Sequence, residues 1–120
     1  MAKVARIVFC TAVLTTLFFA WLPHPPVLIA YDKAQHGLAF AVLAVLGRTA
    51  FPRYPWQFLL LTLAGLGALI ELVQLIPQLH RTCDIYDWYA DVFAILIGLA
   101  LHTSITLFRS SVGEAADTEA

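Results

Sequence analysis

The chain has 120 residues, of which 61% are hydrophobic and 12% are charged, against about 45–50% and about 25% in soluble globular domains. This composition predicts a membrane protein and excludes a separate soluble domain. The formal net charge is −1, so the chain lacks the basic balance of a nucleic-acid-binding protein. The apolar residues form long continuous runs, which favours helices over the alternating strands of a transmembrane barrel.

Four apolar runs are separated by loops that contain proline or charged residues. Because about 20 helical residues cross a hydrocarbon core of roughly 30 Å, each run suits one span. We therefore predict an all-α integral membrane four-helix bundle over residues 1–109. The second run is the shortest, and its helix is expected to begin with Asp32 near an N-cap position at the interface. The runs cover residues 4–22, 34–51, 56–76 and 88–108.

The first run has a second interpretation, because Lys3 and Arg6 give it the basic start of a secretory signal peptide. The apolar stretch is long for such a peptide, and no clear small-x-small cleavage site follows it. We therefore expect this run to be the first span.

Lysine and arginine are distributed unevenly between the two sides that the four spans define. Five lie on the side of both termini and two on the other side, and the positive-inside rule places the more basic side in the cytoplasm. Both termini of this multi-pass protein are therefore predicted to be cytoplasmic. The acidic segment 110–120 is expected to be a short disordered tail there. The two groups are Lys3, Arg6, Arg48, Arg53 and Arg109, and Lys33 and Arg81.

Polar and ionisable residues concentrate at the outer ends of the last three predicted helices. An ionisable group inside a span costs about 2.5–3.5 kcal/mol on insertion scales, so such groups usually face a bundle interior or a wet cavity. Glu71 and Asp91 lie about one turn inside their runs, which indicates function. Three of the others have a simpler interpretation. Asp32 could only cap its helix, Lys33 could be a solvated charge at the interface, and His36 could be a hydrogen-bonded residue of the packed interior. The candidate binding residues are Asp32, Lys33, His36, Glu71, Gln74, Arg81, Asp87 and Asp91.

Small residues continue the acidic face of the fourth predicted helix. At about 100° per residue, Asp91, Ala94 and Gly98 fall on one stripe. Ala94 and Gly98 would let another helix approach closely, and Ala64 and Ala68 offer a similar step on the third helix.

Three motifs in this order resemble the VanZ-like family of small bacterial membrane proteins. They are Asp32-Lys33-x-x-His36, Glu71-x-x-Gln74, and Arg81 followed by Asp87-x-x-x-Asp91. They extend over more than half of the chain, although the family often has asparagine where this chain has Asp91. The resemblance implies a multi-pass protein of the bacterial inner membrane with a cell-envelope role. The founding member is associated with resistance to the glycopeptide teicoplanin, while most members have no assigned biochemical activity.

The first functional hypothesis is a cell-envelope protein that binds a membrane lipid or a lipid-linked cell-wall intermediate at its outer leaflet. Arg81 and Lys33 would meet the phosphate of the head group. Five acids accompany these two cations, and they would repel an anion unless a metal or a proton intervened. They are Asp32, Glu71, Asp84, Asp87 and Asp91. No cofactor is certain from the sequence, and a divalent cation is the one that these carboxylates would suit.

Three alternatives stay open. A membrane enzyme could use a carboxylate with His36, or a metal, on a lipid head group, but the sequence has no nucleophile, zinc or phosphate-loop motif. An ion pathway would need more ionisable steps than the single His102 near the cytoplasmic side. A structural lock would pair Arg81 with Asp87 or Glu71. It would also pair Lys33 with Asp84.

Overall fold

The computed structural model describes residues 1–23 and 32–119, with side chains described from residue 34 onward in the second segment. Every long element in these residues is a helix: α1 spans Ala2–Ala20, α2 spans Asp32–Ala50, α3 spans Trp56–Gln74 and α4 spans Ile85–Glu119. A 3-10 turn at Pro77–Leu79 lies between α3 and α4. The all-α fold predicted from the sequence is confirmed.

Three of these helices, α1, α3 and α4, are long and apolar enough to cross a membrane. The helix α2 has the same 19-residue length as α1 and α3, but it is the least apolar of the four and does not join them. The described residues therefore form the four predicted helices, but only three of these helices are as apolar as a membrane span. The physical reason is that α2 packs against all three other helices, and a helix surrounded by protein tolerates polar residues that lipid would not.

Prolines separate the helices, as the sequence predicts. Pro23 follows the end of α1, and Pro52 and Pro55 lie between α2 and α3. A proline cannot donate the backbone N–H that a continuing helix needs. Pro77 opens the 3-10 turn, so the loop after α3 also begins with this residue type.

The helices α2 and α4 run in the same direction and pack closely. A Cβ atom at Gly37 would lie 3.6 Å from Cβ of Ala94, and one at Gly98 would lie 2.5 Å from the carbonyl oxygen of Ala41 and 2.9 Å from Cβ of Ala44. The predicted close-approach face of Ala94 and Gly98 is therefore confirmed, and both helices begin at the same end of the bundle. The largest fully buried apolar side chains are Phe40, Leu43, Leu63, Ile70 and Ile95.

The C-terminal segment differs from its prediction. Residues 110–119 continue α4 as an exposed helix, so the expected disordered tail is wrong for these residues, and Ala120 lies outside the described part. No proline interrupts the segment, and its alanines and glutamates are good helix formers. With 35 residues, α4 is about 52 Å long, far longer than one hydrocarbon core. The boundary at residue 109 is therefore not a helix end.

Candidate functional site

The predicted polar residues lie at one end of the bundle, where α1 and α3 end and α2 and α4 begin. The structure sorts them into two groups. An acidic group consists of Glu71, Asp87 and Asp91, between α3 and α4. A second group, called the cationic pair after the guanidinium of Arg81, consists of Arg81 and His36, beside α1 and α2. Asp32 and Lys33 form the first two positions of α2, but their side chains lie outside the described structure, so their part in the site stays a prediction.

The acidic group is buried. Glu71 is 5% exposed, Asp87 9% and Asp91 0%. Glu71 and Asp87 lie close enough to Asp91 for their charges to act on it. Within the described residues, both carboxylate oxygens of Asp91 and Oε1 of Glu71 have no hydrogen-bond partner. An uncompensated buried carboxylate is costly for folding, so this group is not explained by stability.

Gly67 makes room for this group. A Cβ atom there would lie 3.4 Å from Oδ2 of Asp91, 3.4 Å from the Trp88 ring and 3.5 Å from the Phe40 ring. Gly67 thus lets the end of α3 approach the buried carboxylate closely. The indole nitrogen of Trp88 also donates a 2.9 Å hydrogen bond to the carbonyl oxygen of Ala64, which joins α4 to α3 one turn away.

The second oxygen of Glu71 has a defined partner. Its Oε2 accepts a 2.9 Å hydrogen bond from the backbone N–H of Asp84. Asp84 in turn caps α4, because its Oδ1 accepts from the backbone N–H of Tyr86 at 2.9 Å and its carbonyl oxygen accepts from that of Asp87 at 3.0 Å. These contacts satisfy N–H groups that a helix start leaves without partners. Asp84 thus joins the start of α4 to the end of α3.

The cationic pair joins the loop before α4 to the start of α2. Nη2 of Arg81 donates toward Nε2 of His36 at 3.3 Å, and both residues are half-buried. Among the described residues, the guanidinium contacts His36 and not the carboxylates of Asp87 or Glu71 that the structural lock would pair with it. The other pairing of that alternative, Lys33 with Asp84, falls on a side chain outside the described structure, so it stays a prediction.

A groove of about 820 Å³ lies between α1 and α2. Aliphatic, aromatic, alanine and threonine side chains of both helices form its walls, while Gln35, His36 and Arg81 lie where α2 begins. Sequence reasoning missed the contribution of α1 entirely. The only signal was the small-residue pattern of Thr11, Ala12, Thr15 and Thr16, which leaves space along one side of that helix.

Gln74 has a contact of its own. Its Nε2 donates a 2.9 Å hydrogen bond to the carbonyl oxygen of Ala20, and the side chain is 3% exposed. This bond satisfies one of the carbonyl groups that the end of α1 leaves without a partner. This contact gives Gln74 a role in joining α3 to α1. Its part in ligand binding stays a prediction.

The two cysteines, Cys10 and Cys83, are free thiols. Cys83 lies in the loop before α4. Desolvation, together with the negative charge of Glu71 and a hydrogen bond to it, raises the pKa of the Cys83 thiol above its ordinary value. The nearby charges of Asp84 and Asp87 act in the same direction.

The acidic group does not form a closed metal site. Among residues 1–23 and 32–119 as described, no three His, Cys, Asp or Glu side chains are arranged to hold a metal ion. The predicted divalent cation therefore has no ligand set here, and Asp32 could contribute only through a side chain that is not described.

No family model, curated protein or solved structure matches the chain. The resemblance to the VanZ-like family therefore stays a prediction that rests on the three motifs. The geometry of the two groups and the groove is what a functional proposal has to explain.

Proposed function

We propose that this chain is a cell-envelope membrane protein that binds the phosphate-bearing head group of a lipid or a lipid-linked cell-wall intermediate. The cationic pair receives the phosphate, and the groove between α1 and α2 takes the apolar chain. The observation that carries the proposal is the position of the Arg81–His36 pair at one end of an otherwise apolar groove.

The state of Arg81 favours an anionic ligand. An arginine has five N–H donors in a planar fork that matches phosphate, and the contact to His36 uses only part of this capacity. None of the described carboxylates neutralises the guanidinium. A half-buried guanidinium that no described carboxylate neutralises is what a phosphate would stabilise through charge-assisted hydrogen bonds.

The groove suits an amphiphile. Its volume of about 820 Å³ lies in the range of about 300–1,000 Å³ that small-ligand sites occupy. An apolar wall with a polar group at one end matches a molecule with a chain and a head group. A lipid would therefore bury its chain against α1 and α2 while its phosphate meets Arg81.

The arrangement also answers the objection from charge. The acids outnumber the cations in the sequence, but Glu71, Asp87 and Asp91 lie between α3 and α4 and do not line the groove. A phosphate beside Arg81 would therefore not meet these carboxylates directly. The separation of the two groups removes the strongest argument against an anionic ligand.

Topology and family belong to the same proposal. We infer four spans with both termini in the cytoplasm, in the bacterial inner membrane, which puts the cationic pair at the outer leaflet. The VanZ-like motifs support a role in the cell envelope. A link to glycopeptide resistance is the narrowest part of the proposal, because it rests on the founding family member alone.

An enzyme is the second candidate, and the buried carboxylates favour it. Asp91 and Glu71 keep carboxylate oxygens without a described partner, and unexplained buried ionisable groups concentrate at functional sites. In this version one of them would act as a general base on the bound head group. The burial of Asp91 argues against direct contact with a substrate, because it is 0% exposed.

The test uses the full chain in detergent and measures binding of dihexanoyl phosphatidic acid by calorimetry. Arg81→Gln should weaken this affinity by about 10–100-fold, the usual worth of hydrogen bonds to a charged group. Arg53→Gln, which changes an exposed arginine in the loop between α2 and α3, is the matched control and should bind like the parent. Equal affinity of the two variants would contradict the proposal.

A companion experiment tests the groove. Ala12→Trp and Ala39→Trp place a large side chain in each of its two walls. Both variants should lower the affinity for phosphatidic acid without changing the affinity for inorganic phosphate. Ala115→Trp, on the exposed end of α4, is the control. Geranyl phosphate in place of phosphatidic acid then distinguishes a polyprenyl-linked ligand from a glycerolipid.

A further inference from the structure

Arg81 lies in a short segment with few contacts of its own. In the loop of residues 75–84, the 3-10 turn is closed by a 3.1 Å hydrogen bond from the N–H of His80 to the carbonyl oxygen of Pro77. Residues 81–83 then have no regular secondary structure. The next fixed points along the chain are both held by Glu71: the thiol of Cys83 forms a hydrogen bond with it, and the N–H of Asp84 donates to it at 2.9 Å.

The backbone of Arg81 is therefore positioned between two anchors. Two residues separate it from Asp84, so the three chain steps allow at most about 10 Å between the two Cα atoms. If the bond between Glu71 and Asp84 were lost, the start of α4 would no longer be tied to the end of α3. The guanidinium could then move by several ångströms, which is more than a hydrogen bond tolerates.

We propose that Glu71 is the positioning residue for Arg81 and so sets the affinity of the phosphate site without touching the ligand. This inference rests on the proposed function, in which Arg81 binds the phosphate. Glu71 does not line the groove, and its 5% exposure keeps it out of reach of the head group. Its bond to Asp84 is the route by which it acts.

The chemistry of this bond offers a matched pair of variants. The amide of Glu71→Gln keeps an oxygen that accepts from the Asp84 N–H, whereas Glu71→Met keeps the length of the side chain and removes the oxygen acceptor. We expect Glu71→Gln to bind dihexanoyl phosphatidic acid within about twofold of the parent, and Glu71→Met to lose about tenfold. Glu114→Gln and Glu114→Met, on the exposed end of α4, are the controls and should both bind normally.

A double-mutant cycle with Arg81→Gln separates positioning from a general structural role. If Glu71 acts through Arg81, Glu71→Met should cause no further loss of affinity in the Arg81→Gln background. Additive losses would overturn the inference. A second readout is the maleimide labelling of Cys83 against pH, in a Cys10→Ala background. Its midpoint should fall in Glu71→Gln, because the charge that raises the thiol pKa is gone, while phosphate affinity stays.

The possible failures are distinguishable. If Arg81→Gln weakens binding but Glu71→Met does not, the positioning role is wrong and the proposed function stands. If Arg81→Gln has no effect, the proposed function fails first. Should Glu71→Met not fold, the near-isosteric Glu71→Gln still decides: a folded amide variant that loses about tenfold in affinity would show that the charge, and not the loop anchor, matters.

Discussion

Nη2 of Arg81 lies 3.3 Å from Nε2 of His36, a contact that joins the loop after α3 to the first turns of α2. An arginine can only donate, so Nε2 of His36 acts as the acceptor. The imidazole thereby directs the guanidinium toward the groove between α1 and α2. Sequence reasoning chose both residues but did not predict the contact between them.

This contact predicts a graded effect of substitutions at His36. His36→Phe removes the acceptor and should weaken the affinity for dihexanoyl phosphatidic acid by about 3–10-fold, the worth of one neutral hydrogen bond. His36→Gln keeps an acceptor at a similar distance and should lose less. Calorimetry in detergent measures both. If the phenylalanine variant binds as tightly as the parent, His36 does not orient Arg81.

The close packing of α2 and α4 predicts opposite effects of one substitution at two glycines of α4. Gly98→Ala puts a Cβ atom 2.5 Å from the carbonyl oxygen of Ala41 and should destabilise the protein by about 1–3 kcal/mol through overpacking. Gly113→Ala meets nothing within 4 Å and should be neutral or stabilising by up to about 1 kcal/mol, because alanine is the better helix former. Unfolding in detergent, followed by circular dichroism, compares them, and equal midpoints would refute the assigned packing.

The sequence predicts the features of this fold that depend on neighbouring residues better than those that depend on contacts between distant segments. Proline positions and apolar runs are local signals, and they correctly separate the four helices. The stripe of Ala94 and Gly98 also predicts a close helix contact, although it does not name α2 as the partner. The C-terminal helix was missed because composition was weighed as a sign of disorder, while helix propensity pointed the other way.

The candidate site shows the same limit. Local patterns identify Glu71 and Asp91 as buried acids, because ionisable residues within apolar runs are unusual. The burial of Asp87, which precedes the fourth run, needed the structure. The groove needs the pairing of α1 with α2, which no local pattern contains. The partner of Arg81 depends on the path of the loop, so the contact to His36 could not be read from spacing.

The position of Cys83 in the loop before α4 predicts its labelling in intact cells. If both termini are cytoplasmic, residues 77–87 are outside, and a membrane-impermeant maleimide should label Cys83. A cysteine introduced by Arg53→Cys, on the other side, should stay unlabelled until the membrane is permeabilised. The opposite pattern would show that the charge-based orientation is inverted.

Cys83 also predicts a pH dependence. Desolvation and the charge of Glu71 raise its pKa, so at neutral pH less of the thiol is ionised than in an ordinary cysteine, and labelling by the thiolate should be slower. The rate should rise with pH and reach its midpoint above that of a model thiol such as N-acetylcysteine. In Asp84→Asn and Asp87→Asn the midpoint should fall slightly, because each removes one charge that opposes ionisation. A midpoint at or below that of the model thiol would contradict the local geometry.

Asp91 predicts a gain of stability when its charge is removed. Both of its carboxylate oxygens are buried without a hydrogen-bond partner among the described residues, and the charges of Glu71 and Asp87 act on it. Asp91→Asn keeps the shape of the side chain and relieves this repulsion and desolvation, so the free energy of unfolding should rise by about 1–3 kcal/mol. Asp117→Asn, on the exposed end of the same helix, should change it by less than about 0.5 kcal/mol. Unfolding midpoints in detergent measure both variants. A folded and more stable Asp91→Asn protein that binds phosphatidic acid normally would assign the carboxylate to something other than lipid binding, such as catalysis, whereas a destabilised variant would show that Asp91 is held by a partner within the bundle.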